Sequence, residues 1–411
     1  MSSESLPLRQ AAAPQSEWTA NWPLLLCAII GIPVPMIAIY GLGQFFVPLE
    51  QNFGWTRSQT SAGQSISLLL GFLATPLVGR VVDSTNARLL ALPGLVLVGT
   101  AIAGFSLAND NPGLWIALWC FHSVVATLVG PTVWIAVISA AFVKNRSLAI
   151  SLALCGTSLA SMFAPLTART LIDAYGWKTA FQLLGLFWST PALLVAAFFF
   201  FDRRPIGRAA SHHAAAPSVR PAMRGIFLSA TFIKLALAIT TSMIAFAAYM
   251  IHLAPALVDK GLSPTLAATI AGVAGLAAIP GKLGLGSIFD RAGPSRVSLG
   301  LMAILALCSI LLALDTTNVA VAIAGCALLG IAAGGMNVAI ACITARLFSA
   351  SVFGVVYGTL TSLTALAGAA GPYLASVIHD RTGSYAAAFW GGLGIAAVSA
   401  LLLVKLEPAT D

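Results

Sequence analysis

The chain has 411 residues, 59% of them hydrophobic and only 8% charged, with a mean hydropathy of +0.94. No soluble globular protein of this length has that balance, and apolar runs of about 20 residues are too long and too continuous for barrel strands, so the composition describes a helical polytopic membrane protein. The net charge of +8 is not a nucleic-acid signal, because the basic residues lie in loops between apolar spans.

Residues 1–21 read as a loose polar tail, and the proline-containing span that follows shows no evident cleavage site, so no removable signal peptide is expected. Span 1 covers about Trp22–Leu49 and carries Gly31, Pro33, Pro35, Gly41 and Gly43, which bend or loosen a helix where neighbours satisfy its backbone. Span 2 starts after Phe53-Gly54-Trp55-Thr56-Arg57, with Thr56 as N-cap, and ends near Arg80. Spans 3 to 6 follow at about 89–108, 114–142, 147–172 and 180–201. Residues 202–224 are rich in Arg, Ala, His and Pro and read as a flexible linker; His212-His213 is a weak metal signal inside it. Six further spans lie at about 225–253, 264–289, 295–314, 319–343, 352–379 and 385–406, before a short tail, 407–411. The expected fold is an all-α membrane protein with twelve transmembrane helices, arranged as a six-helix bundle over 22–201 and another over 225–406.

Lysine and arginine counts set the sides. Arg9, Arg80, Arg88, Lys144, Arg146, the five linker arginines, Arg291, Arg296, Arg346 and Lys405 fall on one side; Arg57, Lys178, Lys260 and Arg381, with Arg169 near a span end, fall on the other. The first side is the cytoplasmic one, with both termini inside. The halves are a repeat: Asp83 and Asp290, Pro165 and Pro372, Asp173 and Asp380, Gly176 and Gly383, and Gly54 and Gly261 are each 207 residues apart. Parallel repeats of this kind usually hold a solute site between them near the midplane.

Every acidic residue falls in a tail, a loop or a span end, so the ionisable residues expected inside the bilayer are Lys234, Lys282 and His122. That inventory attracts anions. A lysine in hydrocarbon costs about 2.5–3.5 kcal/mol on insertion scales, and Lys282 lies eight residues before Asp290, about 12 Å at helical rise, which is deep for snorkelling. We read Lys282 as facing a central cavity and holding the negative end of a solute, with snorkelling as the alternative. Lys234, about ten residues into span 7, is a second candidate. His122 in span 4 is the central group that titrates near neutral pH and is a proton-coupling candidate; its alternative is a hydrogen-bonded packing histidine. Tyr40 and Gln44 in span 1, Asn337 in span 10, and Tyr357 and Thr361 in span 11 can complete a substrate site or merely bond neighbouring helices. The six cysteines lie in or beside apolar runs without metal spacing and read as free packing thiols. Gly275 to Gly281-Lys282 is one residue too long for a phosphate loop, and Leu283 stands where Ser or Thr is needed. No nucleophile–base pair and no metal cluster appears, so neither enzymatic activity nor a cofactor is expected.

Gly79-x-x-x-Asp83 with Arg88, and Gly286-x-x-x-Asp290-Arg291-x-Gly293-x-x-Arg296, resemble the loop 2–3 and loop 8–9 signature of the major facilitator superfamily. In the first copy Ser84 and Ala87 depart from the usual basic residue and glycine. Pro48-Leu49-Glu50-x-x-Phe53-Gly54-Trp55-Thr56-Arg57, Asn145-Arg146-Ser147-Leu148-Ala149, Tyr175-Gly176-Trp177-Lys178-x-Ala180-Phe181 and His252-Leu253-x-Pro255 are similar to its bacterial monocarboxylate-porter and oxalate/formate-antiporter branch. The resemblance implies a carboxylate-binding residue at Lys282, where relatives carry arginine, and cytoplasmic gate latches at Gly79, Asp83, Arg88, Gly286, Asp290 and Arg291. It also implies a path lined by spans 1, 4, 7 and 10 with 5, 8 and 11, which favours Tyr40, Asn337 and Tyr357. The expected function is secondary transport of organic carboxylates by alternating access, coupled to protons, by a functional monomer in a bacterial inner membrane. An exporter of hydrophobic or drug-like compounds is the alternative.

Overall fold

The computed structural model describes residues 16–202, 225–292, 294–348 and 352–404, and every regular element among them is helical. Among the described residues, ten helices are long and apolar enough to cross a membrane. One of these, the 54-residue run Arg146–Phe199, is divided into spans 5 and 6 by Gly176, whose φ of 76° and ψ of 163° are not helical. The 28-residue helix Arg57–Ser84 is span 2. Its lower hydropathy comes from Thr60, Ser61, Gln64, Ser65 and Ser67, all buried against protein. The other spans are 1 (Glu17–Phe53), 3 (Ala87–Leu107), 4 (Pro112–Ala141), 7 (Ala230–Asp259), 8 (Pro264–Ala292), 9 (Pro294–Ala313), 10 (Val319–Leu347), 11 (Phe353–Thr382) and 12 (Ala386–Leu403).

The repeat read from the sequence is also a repeat of backbone shape. The positive-φ glycines pair as Gly54 (66°) with Gly261 (94°) and Gly176 (76°) with Gly383 (70°), again 207 residues apart. Gly54 and Gly383 end their helices in the left-handed region, with their N–H groups bonded to Glu50 O at 2.9 Å and His379 O at 2.7 Å. Thr56 caps span 2 as expected: its hydroxyl accepts from Gln59 N, and Thr56 N donates to Gln59 Oε1 at 2.9 Å. Span 1 is broken as its prolines imply, by a turn between Glu17–Gly31 and Met36–Gly41 and by a 3-10 segment, Leu42–Phe45.

Two breaks depart from the expectation. Span 4 stops at Thr127 and restarts at Pro131. Pro131 has no N–H to offer the preceding turn, and the Trp134 indole bonds Val129 O at 2.8 Å instead. Span 7 restarts at Ala230, where the Ser229 hydroxyl accepts from Phe232 N at 3.2 Å. Lys234 therefore sits in the second turn of its helix, much nearer its end than ten residues.

Each half has its own core. The first is aromatic: Phe45, Phe105, Trp115, Trp119 and Phe181 are fully buried, with Phe105 ring centroids 5.2 Å from Trp115 and 4.7 Å from Trp119. The second is largely Ala, Leu and Ile, with Tyr249 and Phe389 as its largest fully buried side chains. Among the described residues, two long seams join the halves, span 2 along span 11 and span 5 along span 8, with a smaller contact between spans 1 and 7. Gly272 and Gly275 of span 8 lie flat on span 5, where a Cβ at either would run into the Met162 backbone.

Candidate functional site

At one end of the bundle the halves are tied through Arg57, the first residue of span 2, which is 6% exposed. Its Nη1 and Nη2 donate to Asp259 Oδ2 and Oδ1 at 2.9 and 3.1 Å, and its Nε to Glu50 Oε1 at 2.9 Å. Its backbone N–H and that of Ser58 donate to the two carboxylate oxygens of Asp380, at 3.1 and 2.9 Å. Asp380 thus satisfies first-turn amides of a helix in the other half, where a carboxylate is favoured by the helix dipole. Arg57 Nη1 also donates to the Tyr385 hydroxyl at 3.0 Å. Burial holds that phenol above its ordinary range, so the hydroxyl keeps its proton. His252 lies 2.9 Å from it through Nδ1 and 2.9 Å from Pro372 O through Nε2. A carbonyl only accepts, so Nε2 carries the hydrogen and Nδ1 accepts from Tyr385. His379 Nε2 closes the cluster on Asp259 at 3.1 Å.

Sequence reasoning gave Arg57 no role. The signal was present: few cations fall on that side, and Asp259 and Asp380 end two spans there. What was missing was which helix ends meet.

Lys282 stands on the span 5–span 8 seam, half-buried. Its ammonium donates to Thr157 Oγ1 at 2.6 Å, Ser158 Oγ at 2.8 Å and Leu154 O at 3.1 Å. All three partners are neutral and all are on the opposite half. The charge is hydrogen-bonded but has no ion-pair partner among the described residues.

A pocket of about 520 Å³ opens on the other seam. Span 2 contributes Ser67, Leu68, Phe72 and Thr75; span 4, His122, Ser123 and Thr127; span 11, Thr361 and Ser362; and span 1, Met36 and Ile39. His122 is 1% exposed. The Pro35 carbonyl approaches it, but neither ring nitrogen has a hydrogen-bond partner among the described residues. None of the described lining residues is charged.

Of the expected site residues, then, the pocket gathers His122 and Thr361, while Lys282 lies on the opposite seam. Tyr357 is half-buried one turn from Thr361, whose hydroxyl donates to Tyr357 O at 3.0 Å. Tyr40 is half-buried, and Gln44 is buried in the 3-10 segment, which interrupts the i,i+4 ladder that would join them. Lys234 is exposed. Arg88 closes a contact within its own half: it donates to Phe200 O and Ala197 O at the end of span 6 and lies over the Phe201 ring, while Asp202 accepts from Ala87 N at 2.8 Å. Gly79 meets no neighbour that a Cβ would touch. The side chains of Asp83, Asp290, Arg291 and Asn337, the surroundings of Gly286 and the His212-His213 pair lie outside the described residues.

A model of the Major Facilitator Superfamily matches residues 28–329 and 255–411. The chain belongs to the Major Facilitator Superfamily. As a member of it, the protein is a secondary transporter and not an enzyme. Among similar proteins are monocarboxylate transporter 13 of Bos taurus, 26% identical over 387 residues (92% of this chain, 87% of that one), and of Rattus norvegicus, 25% identical over 385 residues (92% and 86%). Among solved structures, an inward-facing, unoccupied bacterial homologue of the human lysosomal transporter Spinster superposes with a TM-score of 0.64 at 15% identity, covering 96% of this chain and 95% of that one. That likeness speaks for the superfamily fold alone.

Proposed function

We propose that the protein carries small organic carboxylates, of the monocarboxylate type, across a bacterial inner membrane by alternating access of its two halves, together with a proton. Lys282 carries this reading. Its charge sits on the seam between the halves and is held by neutral oxygens. A carboxylate forms charge-assisted hydrogen bonds roughly twice as strong as neutral ones, so a solute anion displaces the Thr157, Ser158 and Leu154 oxygens and loosens the seam as it binds. The relatives named as monocarboxylate transporters support the same cargo class. With the linker on the cytoplasmic side, as the Lys and Arg asymmetry implies, the Arg57 cluster closes the outer face, and Asp83 and Asp290 act as inner latches. The protein works as a monomer. The proton travels on His122 or on the acid itself.

The test is uptake of a labelled short monocarboxylate into proteoliposomes, wild type beside Lys282→Gln. Transport abolished at normal expression supports the assignment. Undiminished transport sinks it, and Lys282-independent efflux of lipophilic compounds puts the exporter reading in its place.

A further inference from the structure

The pocket between spans 1, 2, 4 and 11 has a hydrogen-bonding character that its lining residues define closely. Six hydroxyls face it, Ser67 among them, and the other five each spend their proton on a backbone carbonyl. Thr75 donates to Gly71 O at 2.8 Å, Thr127 to Val124 O at 2.6 Å, Thr361 to Tyr357 O at 3.0 Å and Ser362 to Gly358 O at 2.8 Å; Ser123 donates to Ser67 O. These five hydroxyl oxygens therefore turn lone pairs to the pocket, and Ser67 keeps its proton to give. His122 is the exception, a buried ring with both nitrogens unbonded, which as a neutral imidazole offers one donor and one acceptor. The Gln64 amide, the Ser65 hydroxyl and the Trp119 indole N–H, on the same two helices, are also buried without partners. Orphaned buried polar groups are rare and each calls for an explanation. The remaining walls, Met36, Ile39, Leu68 and Phe72, are apolar.

A carboxylate is a poor occupant. It brings only acceptors to a wall dominated by acceptors, where Ser67 and one His122 N–H are the donors on offer, and burying it without a cation costs several kcal/mol, in the range of about 2–7 for an unpaired polar group and more for a charge. An undissociated acid fits: one O–H to donate and an apolar body to bury.

We propose that this pocket binds the organic acid in its undissociated form, with His122 as the residue that takes its O–H. The inference rests on the proposed cargo being an acid, and it assigns the proton's carrier: the proton crosses bound to the acid, so no protein carboxylate is needed in the membrane. The site is distinct from Lys282, which meets the ionised form on the other seam.

The experiment is thermal stabilisation of the full-length protein in detergent by benzoic acid, benzamide and methyl benzoate, from pH 5 to pH 8. The three probes share a shape and differ in their O–H or N–H donor. Benzamide should stabilise saturably and equally at every pH. In the Lys282→Gln protein, which lacks the site proposed for the ionised form, the apparent affinity for benzoic acid should weaken about tenfold per pH unit above the acid's own pKa, since only the proton-bound form binds the pocket. Methyl benzoate should not stabilise. His122→Ala should weaken benzamide at least about tenfold, the loss of one well-placed hydrogen bond, while His122→Gln, which keeps a donor and an acceptor, should retain binding. Benzoic acid affinity that ignores pH in the Lys282→Gln protein, methyl benzoate equal to benzamide, benzamide without effect, or His122→Ala equal to wild type would each overturn the proposal. His122-dependent benzamide binding in a protein that transports no acid would leave the pocket standing and remove the proposed function. Lys282-dependent acid transport without His122-dependent benzamide binding would do the reverse.

Discussion

The two seams are copies of one design and are tied at different heights. The offset of 207 carries span 2 onto span 8 and span 5 onto span 11. On the span 2–span 11 seam, Asp380 binds the Arg57 and Ser58 amides at the helix end. On the span 5–span 8 seam the matching acid is Asp173, which pairs with Arg169 on its own helix, and the matching helix starts with Pro264, which has no N–H to give. In mid-seam the pattern inverts. Lys282 buttons span 8 to Thr157 and Ser158, while its counterpart Thr75 bonds only its own helix, and the pocket opens there. Duplication supplies two equal helix pairs; a few polar substitutions make one tight at the end and the other tight in the middle. A solute thus meets different chemistry on its two sides.

The largest effect should come from the end tie. Arg57→Gln removes the buried guanidinium that Asp259 and Glu50 share, leaving Asp380 only its backbone amides, and each charge-assisted bond lost is worth about 1.5–3 kcal/mol. Cross-linking of cysteines placed at 58 and 380 should fall steeply; unchanged cross-linking would mean the end of this seam is held by packing alone. The mid-seam comes next. Thr75→Lys puts a second ammonium opposite Thr364 and Ala365, where the sequence supplies one hydroxyl fewer than Lys282 enjoys, and the longer side chain intrudes on the pocket at an overpacking cost of about 1–3 kcal/mol. Uptake should drop sharply, and benzamide stabilisation should drop with it. Thr157→Val removes one neutral acceptor from Lys282, worth about 1.5–3 kcal/mol for a bond to a charged group. The seam should loosen and the apparent carboxylate affinity should rise by about tenfold in a binding titration. An affinity that falls instead would make Thr157 part of the substrate shell. The smallest effects separate the repeated turns. Gly383→Ala pays about 1–2 kcal/mol for the left-handed region. Gly176→Ala, at φ 76° and ψ 163°, enters a region open essentially to glycine alone and should cost more, up to about 3 kcal/mol. Melting curves of the two variants rank them.

Much of this architecture was legible in the residues. Apolar length set the spans, the 207 offset set the repeat, the prolines of span 1 announced its breaks, and Thr56 announced its capping box. What stayed hidden was whatever depends on distant residues meeting. The Arg57 cluster joins positions 57, 259, 380 and 385, which no local pattern connects. The break before Pro131 escaped notice because apolar composition continues across it. Lys282 was legible as a charge with a purpose, since a deep lysine needs one, but its three span 5 partners come from a helix more than 120 residues earlier. His122 stood out by residue type, and its unbonded nitrogens became visible only with the packing around them.

The aromatic core of the first half has a spectroscopic consequence. Eight of the nine tryptophans precede the linker, and only Trp390 follows it. Ultraviolet emission from this protein is therefore an almost private signal of one half, with Trp119 set edge-on to His122 at 5.6 Å between ring centroids as a nearby optical witness to whatever enters the pocket. The second half is nearly dark, so a single tryptophan introduced there would report its motion against a clean background.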